Sequence, residues 1–500
     1  MDLEQARVDF FNLQKKICAF NHAAELIYFD GETSAPPGTA ANRARALDGI
    51  NEIMSRLKND PRTLELIEFL HQNSDWLSVK ERRAVEFMIR EGKRKNNIPP
   101  EEYGHYGALL SEARAAWHAA RGANDFSILE PKLEQIVEKT REFAKYNMPD
   151  RDPYDYCIDQ FEEAITVETF DQVFDAIKKE VPQLLQAISE KQKIDDTCLN
   201  GDFEDDDLQE LALYVLDLIG IDLNKVGLSK AEHPFTISLG SHYDERIATR
   251  YDNHNVGATL YTILNQGGHA LYEVGQADNL AYTVLDGAAS LSLTESQGRF
   301  YENIIGRSRS FIEYIYPMLV ELFPFPIGDY SPEELYRAVN KVEAGHIRIN
   351  SDELTYNLHV MVRYELEKAM VRGDLLVKDL PDAWNKKYKE YLGIDVVDDL
   401  NGVLQDIHWP YGSFGYFPLY VLGNVFSAQI TDKMNEEMNV YDCVEAGNFE
   451  EINSWNRDKI WRYGGLFNSK VIMERYVGTQ ISSDAYVNYL KKKYTDIYGL

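Results

Sequence analysis

Leu264-Asn265-Gln266-Gly267-Gly268-His269-Ala270-Leu271-Tyr272-Glu273 is the stretch on which the reading of this chain turns. In the pattern His-Glu-x-x-His, two imidazoles at i and i+4 share one face of a helix and grip one Zn²⁺, while the intervening Glu activates the metal-bound water. Here the second His is present as His269, but Asn265 and Gln266 stand at the first-ligand and general-base positions. An amide is a poor zinc ligand beside imidazole, and Gln266 has no titratable group. A general base is worth on the order of 10²–10⁴ in rate. Metal grip and proton transfer are thus both affected in two adjacent residues.

Working outward, the periodicity is helical over most of the chain. Val8, Phe11, Leu13, Ile17 and Phe20 recur at three- and four-residue intervals, as an amphipathic helix requires. Breaks fall at Thr33-Ser34-Ala35-Pro36-Pro37-Gly38, at Asn97-Ile98-Pro99-Pro100 and between Pro149 and Pro153. Between Pro234 and Tyr251, Phe235-Thr236-Ile237-Ser238-Leu239 and Arg246-Ile247-Ala248-Thr249-Arg250-Tyr251 alternate and are rich in β-branched residues, which predicts a small antiparallel sheet just before the zinc-site helix. Gly267-Gly268 inside a helix costs about 1 kcal/mol each relative to Ala, which predicts close approach of another backbone. The acidic run around Asn200-Gly201 reads as a solvated loop.

Composition excludes several function classes. Fifty-two basic against 82 acidic residues leave a net charge of −30, a field that repels nucleic acid and anionic membrane. No apolar leader segment and no membrane-spanning run is visible, so a cytoplasmic protein is expected. Cys18, Cys157, Cys198 and Cys443 follow no metal or redox spacing and read as reduced thiols. His254 lies three helical turns before Asn265, too far along the axis to join its metal. His242 is not excluded by spacing.

Several further motifs occur in a fixed order: Asp30-Gly31-Glu32-Thr33, His233-Pro234-Phe235, Asp244-Glu245-Arg246, the Asn265–Glu273 helix, Glu295-Ser296-Gln297, Ile347-Arg348 with Asp352-Glu353-Leu354-Thr355-Tyr356 and His359, Gly402-Val403-Leu404-Gln405-Asp406-Ile407-His408-Trp409, and Gly415-Tyr416-Phe417-Pro418 with Leu422-Gly423. Together they resemble the carboxypeptidase Taq family of zinc metallocarboxypeptidases over nearly the whole chain. The resemblance implies one domain over residues 1–500, mainly α-helical, with a long central groove and the small antiparallel sheet beside the zinc-site helix. It also implies a homodimer and peptide substrates entering C-terminus first.

In that family zinc is held by both histidines of the helix and by the Glu of a His-Glu-Ser-Gln-Ser-Arg motif, which matches Glu295. The residual metal positions here are then His269 and Glu295, with Asn265 at the lost ligand and Gln266 at the base position. The resemblance makes Arg348, His408 and Tyr416 candidates for binding the peptide carboxylate, with Asp244, Arg246 and His233 as further substrate-binding positions. Three more departures surround the metal motif: Thr294 replaces the His before Glu295, Gly298 replaces the following Ser, and Ala248 stands at the Thr of an Asp-x-Arg-x-Thr motif, where Thr249 could compensate.

The expectation is a protein that binds peptide C-termini in a deep groove, with zinc weakly bound or absent and catalysis impaired. The alternatives are an active metallocarboxypeptidase with a non-standard metal site, and a partner-binding protein whose groove is vestigial. For the same residues Arg348 and Asp352 could form a buried ion pair, and the Gln405–Trp409 segment a self-satisfied turn.

Overall fold

The computed structural model describes residues 2–500. Helices begin and end where sequence chemistry dictates. The first, Leu3–Thr33, is capped by Asp2 and stops at the Ser34–Gly38 break. Pro100 opens Pro100–Ala123 from its first turn, and Pro153 opens Pro153–Asp159. Asp205, Asp206 and Asp207 of the acidic run fill the first turn of Asp205–Leu218, where carboxylates complement the helix dipole. The result is a single helical domain with one small sheet.

That sheet contains the expected antiparallel pair and one strand more. β1 (Val226–Lys230) and β2 (Phe235–Ser238) both pair with β3 (Glu245–Thr249), in the order β1-β3-β2. β2 runs antiparallel to β3, with Phe235 opposite Ala248, whereas β1 runs parallel to it, with Val226 opposite Glu245. The sheet is therefore mixed.

Four elements build the groove. The floor helix, Val256–Val274, carries Asn265, Gln266 and His269, and the glutamate helix, Leu291–Arg299, carries Glu295. The glutamate helix continues without a break into a π-helical turn, Phe300–Ile305, that brings Glu302 to the site. The closing helix, Phe417–Glu437, packs along the glutamate helix. On the far side stands the wall helix, Glu353–Arg372, whose Asp352 cap accepts the amides of Leu354 and Thr355. Leu264, Leu271, Leu293, Phe300, Leu422 and Phe426 join one large core beneath the groove. A second, smaller core gathers Phe10, Leu13, Ile17, Leu66, Leu70 and Val85 of the N-terminal helices over Leu280 and Leu285.

Gly268 explains the join between floor and glutamate helices. A Cβ there would lie 2.4 Å from the carbonyl oxygen of Gln297, so the helices touch backbone to backbone as the Gly267-Gly268 pair predicted. The four cysteines are buried and unpaired. No helix among the described residues is long and apolar enough to cross a membrane.

Candidate functional site

A cavity of about 1100 Å³ runs over the floor helix. Asn265, Gln266, His269, Glu295, Arg348 and Tyr416 all line it, so positions far apart in sequence share one space. His233, Asp244, Arg246 and His408 do not line it. His233 is exposed, and Arg246 Nε donates to Asp244 Oδ1 at 2.7 Å on β3. His408 stands behind Tyr416 and Phe417, with ring centroids at 5.4 and 4.3 Å.

On the floor the amides are tied into a continuous polar chain. The Thr236 hydroxyl donates to Gln266 Oε1 at 2.8 Å, Gln266 Nε2 to Asn265 Oδ1 at 3.1 Å, and Asn265 Nδ2 to Glu302 Oε2 at 3.0 Å. Arg299 then bridges two carboxylates, through Nη1 to Glu302 at 3.1 Å and Nε to Glu295 at 2.7 Å. The Glu302 carboxylate fixes the orientation of Asn265: turning the amide would place its oxygen against that charge. Burial disfavours the charge on Arg299, but Glu295 and Glu302 outweigh it and hold the guanidinium firmly protonated.

His269 Nε2 lies 3.8 Å from Glu295 Oε2, and burial pushes the imidazole pKa down. Gly298 opens the space for this arrangement, since a Cβ there would sit 2.7 Å from His269 Nε2 and 2.8 Å from Asn265 Nδ2. Thr294 points its hydroxyl back to the Ser290 carbonyl at 3.0 Å. Thr294 lines the cavity and meets His269 through its backbone, but its hydroxyl is turned away from the site.

Catalytic Zn²⁺ takes three protein donors and an open position. This donor set does not fit that requirement. Two candidate ligands remain, Asn265 presents its NH₂ to Glu302, and one Glu295 oxygen already accepts from Arg299. Among the described residues no group of three or more His, Cys, Asp or Glu is arranged to hold a metal ion. His242 does not fill the gap: its Nδ1 faces Asp286 at 2.6 Å. His254 is exposed beside Asp202. Thr249 does not stand in for Ala248 either, because neighbouring strand residues face opposite sides. Its hydroxyl is buried without a partner.

On the opposite side of the groove Arg348 is backed by a buried ion-pair cluster. Asp406 accepts from Arg348 Nη2 at 2.9 Å and from Arg363 Nε at 2.6 Å. Burial opposes its charge, but the two guanidiniums overcome this and hold its pKa below the usual carboxylate range. Both guanidiniums also lie over Phe417, at 5.2 and 5.4 Å. Arg348 pairs with Asp406 and not with Asp352, which caps the wall helix instead. Gln405 braces the segment by donating to the His346 carbonyl at 2.7 Å and accepting from Arg363. Arg348 gives its remaining bond to Tyr356 Oη at 3.3 Å, which leaves two of its five N–H donors for a ligand. Burial pushes His408 down to about 4, so it presents a neutral imidazole at pH 7.

Thr236, Arg299 and Glu302 were not singled out in the sequence. Glu295, Arg299 and Glu302 are spaced i, i+4, i+7, one face of a helix, and that spacing was the available signal. Nothing in the sequence ties Thr236 to Gln266.

A helical groove floored by a zinc-site helix, with a second helix supplying Glu295, is the scaffold of a metallopeptidase. The chain belongs to the Carboxypeptidase Taq (M32) metallopeptidases, whose family model matches residues 9–494. Carboxypeptidase 1 of Bacillus subtilis is 35% identical over 502 residues, covering 100% of both chains. Thermostable carboxypeptidase 1 of Pyrococcus furiosus is 33% identical over 96% of both. The crystal structure of the M32 carboxypeptidase from Deinococcus radiodurans superposes with a TM-score of 0.96 at 31% identity, covering 99% of this chain and 100% of that one.

Proposed function

We propose that this chain is a peptide-binding member of its family in which metal-dependent hydrolysis is impaired. It receives a free peptide C-terminus in the groove, with zinc held weakly or not at all. The observation that carries this reading is the pair Asn265–Gln266, whose amides are engaged from Thr236 to Glu302 while Arg299 neutralises Glu295. The guanidinium supplies the positive charge that two buried carboxylates need. Arg348, held by Asp406 and lining the cavity with two N–H donors unused, is the residue suited to a carboxylate. Tyr416 lines the same cavity, and neutral His408 supports it from behind. Asp244, Arg246 and His233 act at most at the periphery. A single-domain chain over residues 1–500, a cytoplasmic location and a homodimer complete the reading, and sedimentation tests the last.

The test combines zinc content, release of C-terminal amino acids and calorimetry with free-acid and amidated peptides. The expected result is binding that weakens about tenfold or more on amidation, the loss of a charged hydrogen bond, without chelator-sensitive turnover. Stoichiometric zinc with chelator-sensitive release would overturn it in favour of an active metallocarboxypeptidase using His269, Glu295 and a non-standard site. Equal indifference to free and amidated peptides would instead mark the groove as vestigial.

A further inference from the structure

Most carboxylates around the groove have an evident counterpart. Glu295 and Glu302 share Arg299, Glu343 meets Lys341, and Asp352 caps a helix. Glu245 and Glu273 differ. Both line the cavity, Glu273 one helical turn beyond His269 and Glu245 at the start of β3. No ion pair among the described residues reaches either one. Glu245 is wholly buried, takes one hydrogen bond from Ser238 Oγ at 2.5 Å, and leaves Oε1 without any partner. Glu273 takes one from Gln276 Nε2 at 2.6 Å and is further supported by the backbone amide of Ala288, with no cationic partner.

The surroundings add negative charge and almost no positive charge. Glu25 comes from the first helix, Asp244 from the turn before β3, and Asp286 from the loop before the glutamate helix. The bases in the neighbourhood are engaged elsewhere: His242 is directed to Asp286 and its Nε2 is buried without a partner, Arg246 pairs with Asp244, His22 bonds the Leu239 carbonyl, and His269, one turn away, stands beside Glu295. Burying unpaired carboxylates costs several kcal/mol, which a protein avoids by holding protons on them or by admitting a cation. Burial first, then Glu273, pushes Glu245 well above the usual range. Burial first, then Asp286, raises Glu273 to about 7. A cationic ligand would displace the proton and pair with the charge.

We infer that Glu245 and Glu273 form a receptor in the groove for an alkylammonium or guanidinium group of the bound peptide. The inference rests on the peptide-binding reading above and adds its selectivity. A metal ion is not the cation, since no three ligating side chains converge there. An ammonium or guanidinium needs only two acceptors and tolerates looser geometry. The group could be a Lys or Arg side chain or the free α-amine of a short peptide, and both present the same chemistry.

Calorimetry of the full-length chain separates these cases. The probes are free-acid hexapeptides carrying Lys at successive positions, the same peptides with side-chain-acetylated Lys, and each with a free or acetylated N-terminus. At pH 8 the expected result is that one cationic position binds about tenfold or more tighter than its acetylated counterpart. The preference should shrink at pH 5.5, where Glu273 is protonated, and should vanish in Glu273→Gln and Glu245→Gln. Loss of the preference on acetylating only the side chain, or only the N-terminus, identifies the source. Should either variant fail to fold, the wild-type ratio of Lys to acetyl-Lys peptides decides alone. Equal affinity for cationic and acetylated peptides overturns this inference and leaves the peptide-binding reading standing, whereas no binding of any peptide overturns both.

Discussion

The two sides of the groove hold buried polar groups in opposite ways. On the wall side, Asp406 sits between Arg348 and Arg363, a dense set of full charges in which each acceptor faces a donor. On the floor, neutral amides of Asn265 and Gln266 relay between a hydroxyl and Glu302, and a single guanidinium balances two carboxylates. The wall keeps a guanidinium, Arg348, on the lining of the cavity. The floor closes on itself through a relay of hydrogen bonds made by neutral amides. The two sides draw on different residues for this, Arg348, Arg363 and Asp406 on one and Thr236, Gln266, Asn265, Arg299 and Glu302 on the other.

The comparison breaks most visibly if Asp406 is removed. Asp406→Ala strands two buried guanidiniums and should destabilise the fold by about 3–5 kcal/mol, measured by urea denaturation. An effect below 1 kcal/mol would mean that the wall's charges are mutually dispensable. Next, Gly268→Ala drives a methyl group into the Gln297 carbonyl and should cost about 1–3 kcal/mol in the same measurement, since neither backbone can yield locally. A neutral outcome would show the floor to be plastic. The double change Asn265→His with Gln266→Glu restores a ligand and a base together. It should tighten zinc by about 10- to 100-fold or more, read by competition with a chromogenic chelator. Unchanged affinity would place the defect elsewhere, in Gly298 or Thr294. The smallest expected effect is Thr236→Val, which removes the first donor of the amide chain and should cost about 1 kcal/mol.

Much of the fold was legible because its signals are local. The breaks at Thr33–Gly38 and Pro149–Pro153, the helix caps and the Phe235–Tyr251 pair all follow from short-range chemistry. Gly267-Gly268 announced a close approach, and Gln297 supplies it. β1 escaped notice because Val226–Lys230 does not alternate and its parallel partner lies beyond an intervening strand. In the site, the substitutions at Asn265 and Gln266 were visible from spacing, but their new partners were not. Thr236 reaches Gln266 across a strand–helix contact, and Glu302, which by spacing shares a helix face with Glu295 and Arg299, is carried to the site on a π-helical turn. Arg348 lines the cavity, and its ion-pair partner is Asp406, 58 residues away, and not the nearby Asp352.

Gly298 sets the shape of the floor. The room that a side chain would take there is filled by the His269 ring and the Asn265 amide. A side chain at 298 fits only if both move aside, and a larger group at 265 would compete for the same narrow volume. Residue 298 thus acts as the gauge of the floor: a side chain there and the present placing of His269 and Asn265 exclude one another.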